Sequence, residues 1–273
     1  MRVLAALLFF ASLATASANT PEPAQALQSY ITSFSSVDGT AVDSEELLQL
    51  VRKLREKQMK AGNKTAFVDY LFDKTRNRFL RNYTEYATFS ETLTRGKYNC
   101  LTGTALYALL LNHFNIPYQV IETNYHIFLV AETENGRVLL EATDSENGVV
   151  LGESKIDARI KEYRQSLPPK SDRSKSYYQY DVDVFKQVSL EELTGLLYYN
   201  RAIVAYNQRD LAEAIESLTK SAERYRSPRI AEFATILQIT VNESGLTPNL
   251  KQQYLREIQR LRSSGTTLSA RGR

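Results

Sequence analysis

The sequence predicts an α+β fold followed by an all-helical carboxy-terminal region, and three features carry that reading. From Cys100 to Phe114 the chain is almost continuously apolar or small, the mark of a helix enclosed on every side. Three short runs rich in Val, Ile, Phe and Leu follow, Val120 to Glu122, His126 to Ala131 and Val138 to Thr143, and read as antiparallel strands. Between Ser189 and Leu261 apolar residues return at helical spacing in two pairs of segments.

At the amino terminus, Arg2 precedes an apolar run from Val3 to Leu13, and the small residues Ala16, Ser17 and Ala18 follow. This order is that of a secretory leader over residues 1–18, removed before Asn19. The run is too short to span a bilayer, and no later segment is apolar for long enough to do so. The expectation is a secreted or periplasmic protein without stable membrane insertion. A short Pro-containing lead from Thr20 to about Gln25 follows. Ser44 to Ala61 then carries Leu47, Leu48, Leu50, Val51 and Leu54 at helical spacing, with Asp43 or Ser44 as cap and Gly62 as stop. A second amphipathic stretch runs from about Ala66 to Arg81.

The enclosed segment ends at Asn115, Ile116 and Pro117, and an Asn135-Gly136 turn separates the last two strand-like runs. From about Val149 to Gln187 the composition turns polar, with Pro168, Pro169 and a tyrosine cluster, and reads as a surface linker. Ser189 and Glu192 form a capping box that opens the helical region. The stretch from Tyr198 to Glu223 resembles a tetratricopeptide repeat, closed by Pro228. A second, poorly matching helix pair follows, with Thr247 as cap and Pro248 at its first helical position. The expected organisation is a leader over 1–18, a mixed domain over 19–150, a linker over 151–188, a helical region over 189–262 and a tail over 263–273.

Lysine plus arginine number 34 against 31 for aspartate plus glutamate, a net charge of +3 that gives no footprint for nucleic acid. With 2 histidines and 1 cysteine, a zinc site of ordinary composition cannot be assembled. No phosphate-cradling Gly-x-x-x-x-Gly-Lys and no Gly-x-Ser-x-Gly elbow occurs, so no cofactor is expected.

The chemistry that remains is that of Cys100. A lone thiol forms no internal disulfide, and at the first turn of a helix the dipole and free N–H groups favour its anionic, nucleophilic form. The same N–H groups suit an oxyanion, with Asn99 and Tyr98 close enough in sequence to add a donor. His113 lies down the same helix, roughly 20 Å away at 1.5 Å per residue, and cannot reach the thiol. His126, which opens a strand, is left as the base. The next strand offers Glu141 and Asp144 to orient the imidazole, and their unlike parity lets only one of them face it.

From Gly96 to Thr143 the sequence GKYNCLTGTALYALLLNHFNIPYQVIETNYHIFLVAETENGRVLLEAT resembles the core of the transglutaminase-like, or papain-like, cysteine superfamily. That family shows a Gly-x-x-Cys start to a buried helix, a helix ending before Ile-Pro, a strand beginning at histidine and an Asp-x-Thr on the following strand. The resemblance implies that Cys100 is the nucleophile, His126 the base and Glu141 the orienting carboxylate, with Glu141-Ala142-Thr143 standing where the family has Asp-x-Thr. Asp144 is the alternative carboxylate. Two functions follow as expectations. One is an exported cysteine-dependent acyl hydrolase or acyl transferase acting on an amide bond of a protein or peptide substrate. The other is a catalytically silent scaffold of the same core that binds a protein partner through its carboxy-terminal helices.

Overall fold

A computed structural model describes residues 23–165 and 184–269. The leader and its cleavage point before Asn19 lie outside the described residues, as do Pro168, Pro169 and the tyrosine cluster that follows them.

The chain opens with α1 (Pro23–Ser35), α2 (Glu45–Lys60) and α3 (Lys64–Phe79). The helix α1 buries Leu27, Ile31 and Phe34, an i, i+4, i+7 stripe that begins just after the Pro-containing lead. The two-residue strand β1 (Asn82–Tyr83), the helix α4 (Phe89–Arg95) and the strand β2 (Lys97–Tyr98) follow, and β1 pairs with β2 in parallel. Next come α5 (Cys100–His113), β3 (Tyr118–Thr123), β4 (Ile127–Thr133), β5 (Gly136–Leu140), β6 (Val149–Leu151), α6 (Glu153–Gln165) and β7 (Phe185–Val188). Four helices complete the chain: α7 (Leu190–Asn207), α8 (Leu211–Arg224), α9 (Pro228–Glu243) and α10 (Pro248–Ser269).

The five strands β6-β5-β4-β3-β7 form one sheet, every neighbour antiparallel. Its strands alternate between two apolar layers. Val120, Ile127, Leu129, Ala131, Val138 and Leu140 enter the large core that holds α5. Ile121, Phe128, Val130 and Leu139 point the other way and meet Ile156 of α6, with Ile160, Tyr163 and Phe185 beside it. Burial of both faces is why β4 reads as an unbroken apolar run rather than as an alternation.

The described parts of the segment expected to be a surface linker, 151–165 and 184–188, are therefore built into the fold. The helix α6 covers one face of the sheet and β7 adds an edge strand, its Val188, Gln187, Lys186 and Phe185 opposite Val120, Ile121, Glu122 and Thr123. The polar composition hid them because α6 needs only Ile156, Ile160 and Tyr163, spaced four and three apart, to cover the sheet. The segment expected to be a loose tail from residue 263 is helical as far as Ser269.

The α5 helix is enclosed as its composition requires, with Ala105 to Leu111 all at or below 1 % exposure. The Tyr107 ring stacks on Phe72 at 4.8 Å, and its hydroxyl donates to the Phe72 carbonyl at 3.1 Å. In the carboxy-terminal region α7 opens on the Ser189–Glu192 capping box, and α9 and α10 each begin at a proline. Gly195 lets α7 approach the chain at Tyr225, since a β-carbon there would stand 2.4 Å from Tyr225 Cβ. Among the described residues no helix is long and apolar enough to cross a membrane.

Candidate functional site

Asn99 fixes the start of α5. Its side-chain oxygen accepts the Thr102 N–H at 2.9 Å, and the Thr102 hydroxyl accepts the Asn99 N–H at 3.1 Å, a reciprocal cap. The Asn99 amide nitrogen donates to the carbonyls of Glu85 (2.9 Å) and Ala87 (3.2 Å), tying the helix start to the loop before α4. These bonds occupy the donors of Asn99, so it supports the helix rather than an oxyanion. Tyr98, the other residue expected there, is buried, with its ring edge-on to Tyr83 at 6.0 Å and packed toward Gly103. Thr102 and Gly103 send their N–H groups to the cap residue. The first-turn donors left at the thiol are the backbone N–H groups of Cys100 and Leu101.

Cys100 is half-buried at the first position of α5. His126 immediately precedes β4 and closes the β3–β4 hairpin. The Thr123 N–H donates to the His126 carbonyl at 2.8 Å, and the His126 N–H donates to the Thr123 hydroxyl at 3.1 Å. The imidazole Nε2 donates to Glu141 Oε2. Cys100 is the ring's other neighbour, close enough to act on its charge. Burial alone would lower the His126 pKa, but the influence of Cys100 and the bond and charge of Glu141 outweigh it and raise the value to about 10.

Glu141 lies just beyond β5 rather than within a strand running to Thr143. Its N–H still donates to the Gly148 carbonyl at 2.8 Å, but its Oε1 turns back on its own backbone. There it accepts the Thr143 N–H at 2.9 Å and the Thr143 hydroxyl at 2.6 Å. Burial, with 2 % exposure, would raise the pKa of this carboxyl, yet the bonds and charge of His126, with the Thr143 donors, hold it below the usual range. Thr143 thus locks a carboxylate that is one methylene longer than aspartate onto the imidazole.

Asp144, the alternative carboxylate, does not reach the site. It accepts the N–H groups of Glu146 (3.1 Å) and Asn147 (2.8 Å) in a turn, and its other oxygen meets Arg159 at 3.3 Å. His113 is buried beside Arg55 (2.9 Å) and Phe114, where it has a packing role.

One site residue was not anticipated from sequence. Tyr163 of α6 lies over the imidazole, with ring centroids 4.7 Å apart, and over Phe128 at 4.9 Å. Arg159 donates to its hydroxyl at 3.3 Å, and burial together with the nearby Glu141 charge raises its pKa. The signal in the sequence was faint: Tyr163 is seven residues after Ile156, on the apolar stripe of α6.

Gly103 brings α5 against the Glu141 turn. A β-carbon there would stand 2.7 Å from Ala142 Cβ. Gly103→Ala is expected to lower stability by about 1–3 kcal/mol, measured by urea denaturation, because either the helix or the turn that carries Glu141 must shift.

Comparison with protein-family models, with curated proteins and with solved structures found no match.

Proposed function

We propose that this protein is a cysteine-dependent acyl hydrolase or acyl transferase of the transglutaminase-like class, acting on an amide bond of a protein or peptide. The observation that carries the proposal is the shared imidazole. His126 sits beside a thiol at the start of a helix and bonds to a buried, threonine-locked carboxylate. Export to a periplasm or to the cell exterior is part of the proposal and rests on residues 1–18.

In this reading the Cys100 sulfur attacks the substrate carbonyl, and the oxyanion that forms takes the N–H groups of Cys100 and Leu101. The imidazolium then protonates the departing amine as the carbon–nitrogen bond breaks, leaving a thioester on Cys100. Water or a second amine, deprotonated by the now neutral His126, attacks the thioester and releases the acyl group. Glu141 holds the ring tautomer and stabilises its positive charge throughout.

The test uses 4-nitrophenyl acetate as an acyl donor that needs no substrate recognition. A burst of nitrophenolate equal to the protein concentration is expected, with one acetyl group located on Cys100 by peptide mass spectrometry. The burst should be lost in Cys100→Ala. Acetylation spread over lysines with no burst would remove the enzymatic reading and favour a silent scaffold.

A further inference from the structure

The turn that presents His126 is held by a helix from the other end of the chain. Asn124 and Tyr125 connect β3 to β4 as a two-residue hairpin loop, with Thr123 and His126 as its closing pair. Loops of this length favour turns with positive φ, which match the twist of the strands. Among the described non-glycine residues only Asn115 and Arg209 have positive φ, so this loop is of another kind.

Its support comes from outside the hairpin. Arg229, at the start of α9, is 9 % exposed. Its Nη2 donates to the Thr123 carbonyl at 2.7 Å and to the Asn124 carbonyl, while Nη1 donates to Glu122 Oε1 at 2.9 Å. Glu122 is 2 % exposed and also accepts the Tyr225 hydroxyl at 2.6 Å and 2.8 Å. On the other side, the Val184 N–H donates to Asn124 Oδ1. Docking a helix needs only apolar side chains, and a buried ion pair is a costly substitute for them. What the guanidinium adds is a planar fork that spans two main-chain carbonyls and a carboxylate together, which a lysine ammonium cannot reproduce.

We infer that Arg229 is a positioning residue for His126, and that through it the carboxy-terminal helices form part of the reactive site's scaffold. The chain of contacts is short. Arg229 fixes the Thr123 and Asn124 carbonyls, the Thr123 hydroxyl and N–H fix the His126 backbone, and the imidazole projects from there to Cys100 and Glu141. The inference rests on the proposed pairing of Cys100 with His126.

The experiment measures the rate at which iodoacetamide alkylates Cys100 at pH 6.5 in the wild type and in Arg229→Lys, His126→Ala and Leu237→Ala. Leu237 is a buried α9 residue with no bond to the turn, and its truncation reports loss of stability alone. The NMR titration of the His126 ring is followed in the variants that retain it. Arg229→Lys is expected to slow alkylation about tenfold or more, since a shift near 1 Å is enough to uncouple reacting groups, and to lower the ring's titration midpoint. Leu237→Ala should change neither. If Arg229→Lys alkylates like the wild type while His126→Ala is slow, the positioning role is overturned and the pairing stands. If Leu237→Ala slows the reaction as much as Arg229→Lys, the effect is one of stability and the role is again overturned. If His126→Ala alkylates like the wild type, the pairing itself fails and the inference with it. Should Arg229→Lys not fold, Arg229→Gln combined with Glu122→Gln removes both charges of the buried pair and carries the same comparison.

Discussion

Replacing His126 with alanine is expected to slow the acetylation of Cys100 by 4-nitrophenyl acetate by about 100- to 10,000-fold, the range that a positioned proton-transfer group supplies. The loss is read as the acylation rate of folded protein, since the His126 backbone bonds to Thr123 do not depend on the ring and keep the turn in place. Imidazole added to the His126→Ala protein should restore part of the rate. A variant that acetylates at the wild-type rate would leave the imidazole without a chemical role.

Glu141→Gln should act on the proton held by His126. The influence of Cys100 and the bond and charge of Glu141 together raise the His126 pKa to about 10, against the opposing effect of burial. Removal of one of the two should lower the titration midpoint by roughly one to three units, as read from the ring proton by NMR. A folded-state value above the unfolded one means that stability from this group is fully present below about pH 6.5 and is lost as pH rises through about 10. Glu141 is depressed, so its contribution is present above its ordinary carboxylate value and is lost as pH falls below it. The wild type should therefore lose stability steadily from pH 6.5 to 10, measured by urea midpoints, and Glu141→Gln should flatten that decline. An unchanged slope would show that the carboxylate does not hold the proton.

The elements that repeat a local pattern were legible in the sequence. The α5 helix, the Asn135-Gly136 hairpin and the capped, proline-initiated helices after Ser189 are set by residues within a few positions of one another. Cys100, His126 and Glu141 were legible through helix position, elimination and a family resemblance. The Asn99 amide was not, because its destination, the Glu85 and Ala87 carbonyls, depends on how the preceding loop folds back. The α6 helix and β7 were obscured by polar composition. Yet the unbroken apolar run of β4 already required a second covering layer, and α6 is that layer. Tyr163 follows once α6 is placed. The Arg229 clamp joins residues more than a hundred positions apart, and no local period records such a contact.

The central claim is that Cys100 is held as a reactive thiol by its fold, and native-state alkylation tests it most directly. With iodoacetamide at pH 6.5, Cys100 in the folded protein should react faster than in the same protein unfolded by urea, although it is half-buried in the native state, because the helix start and the charged imidazole act only when the chain is folded. Native labelling no faster than that of the unfolded chain would contradict the account and make Cys100 a packing residue.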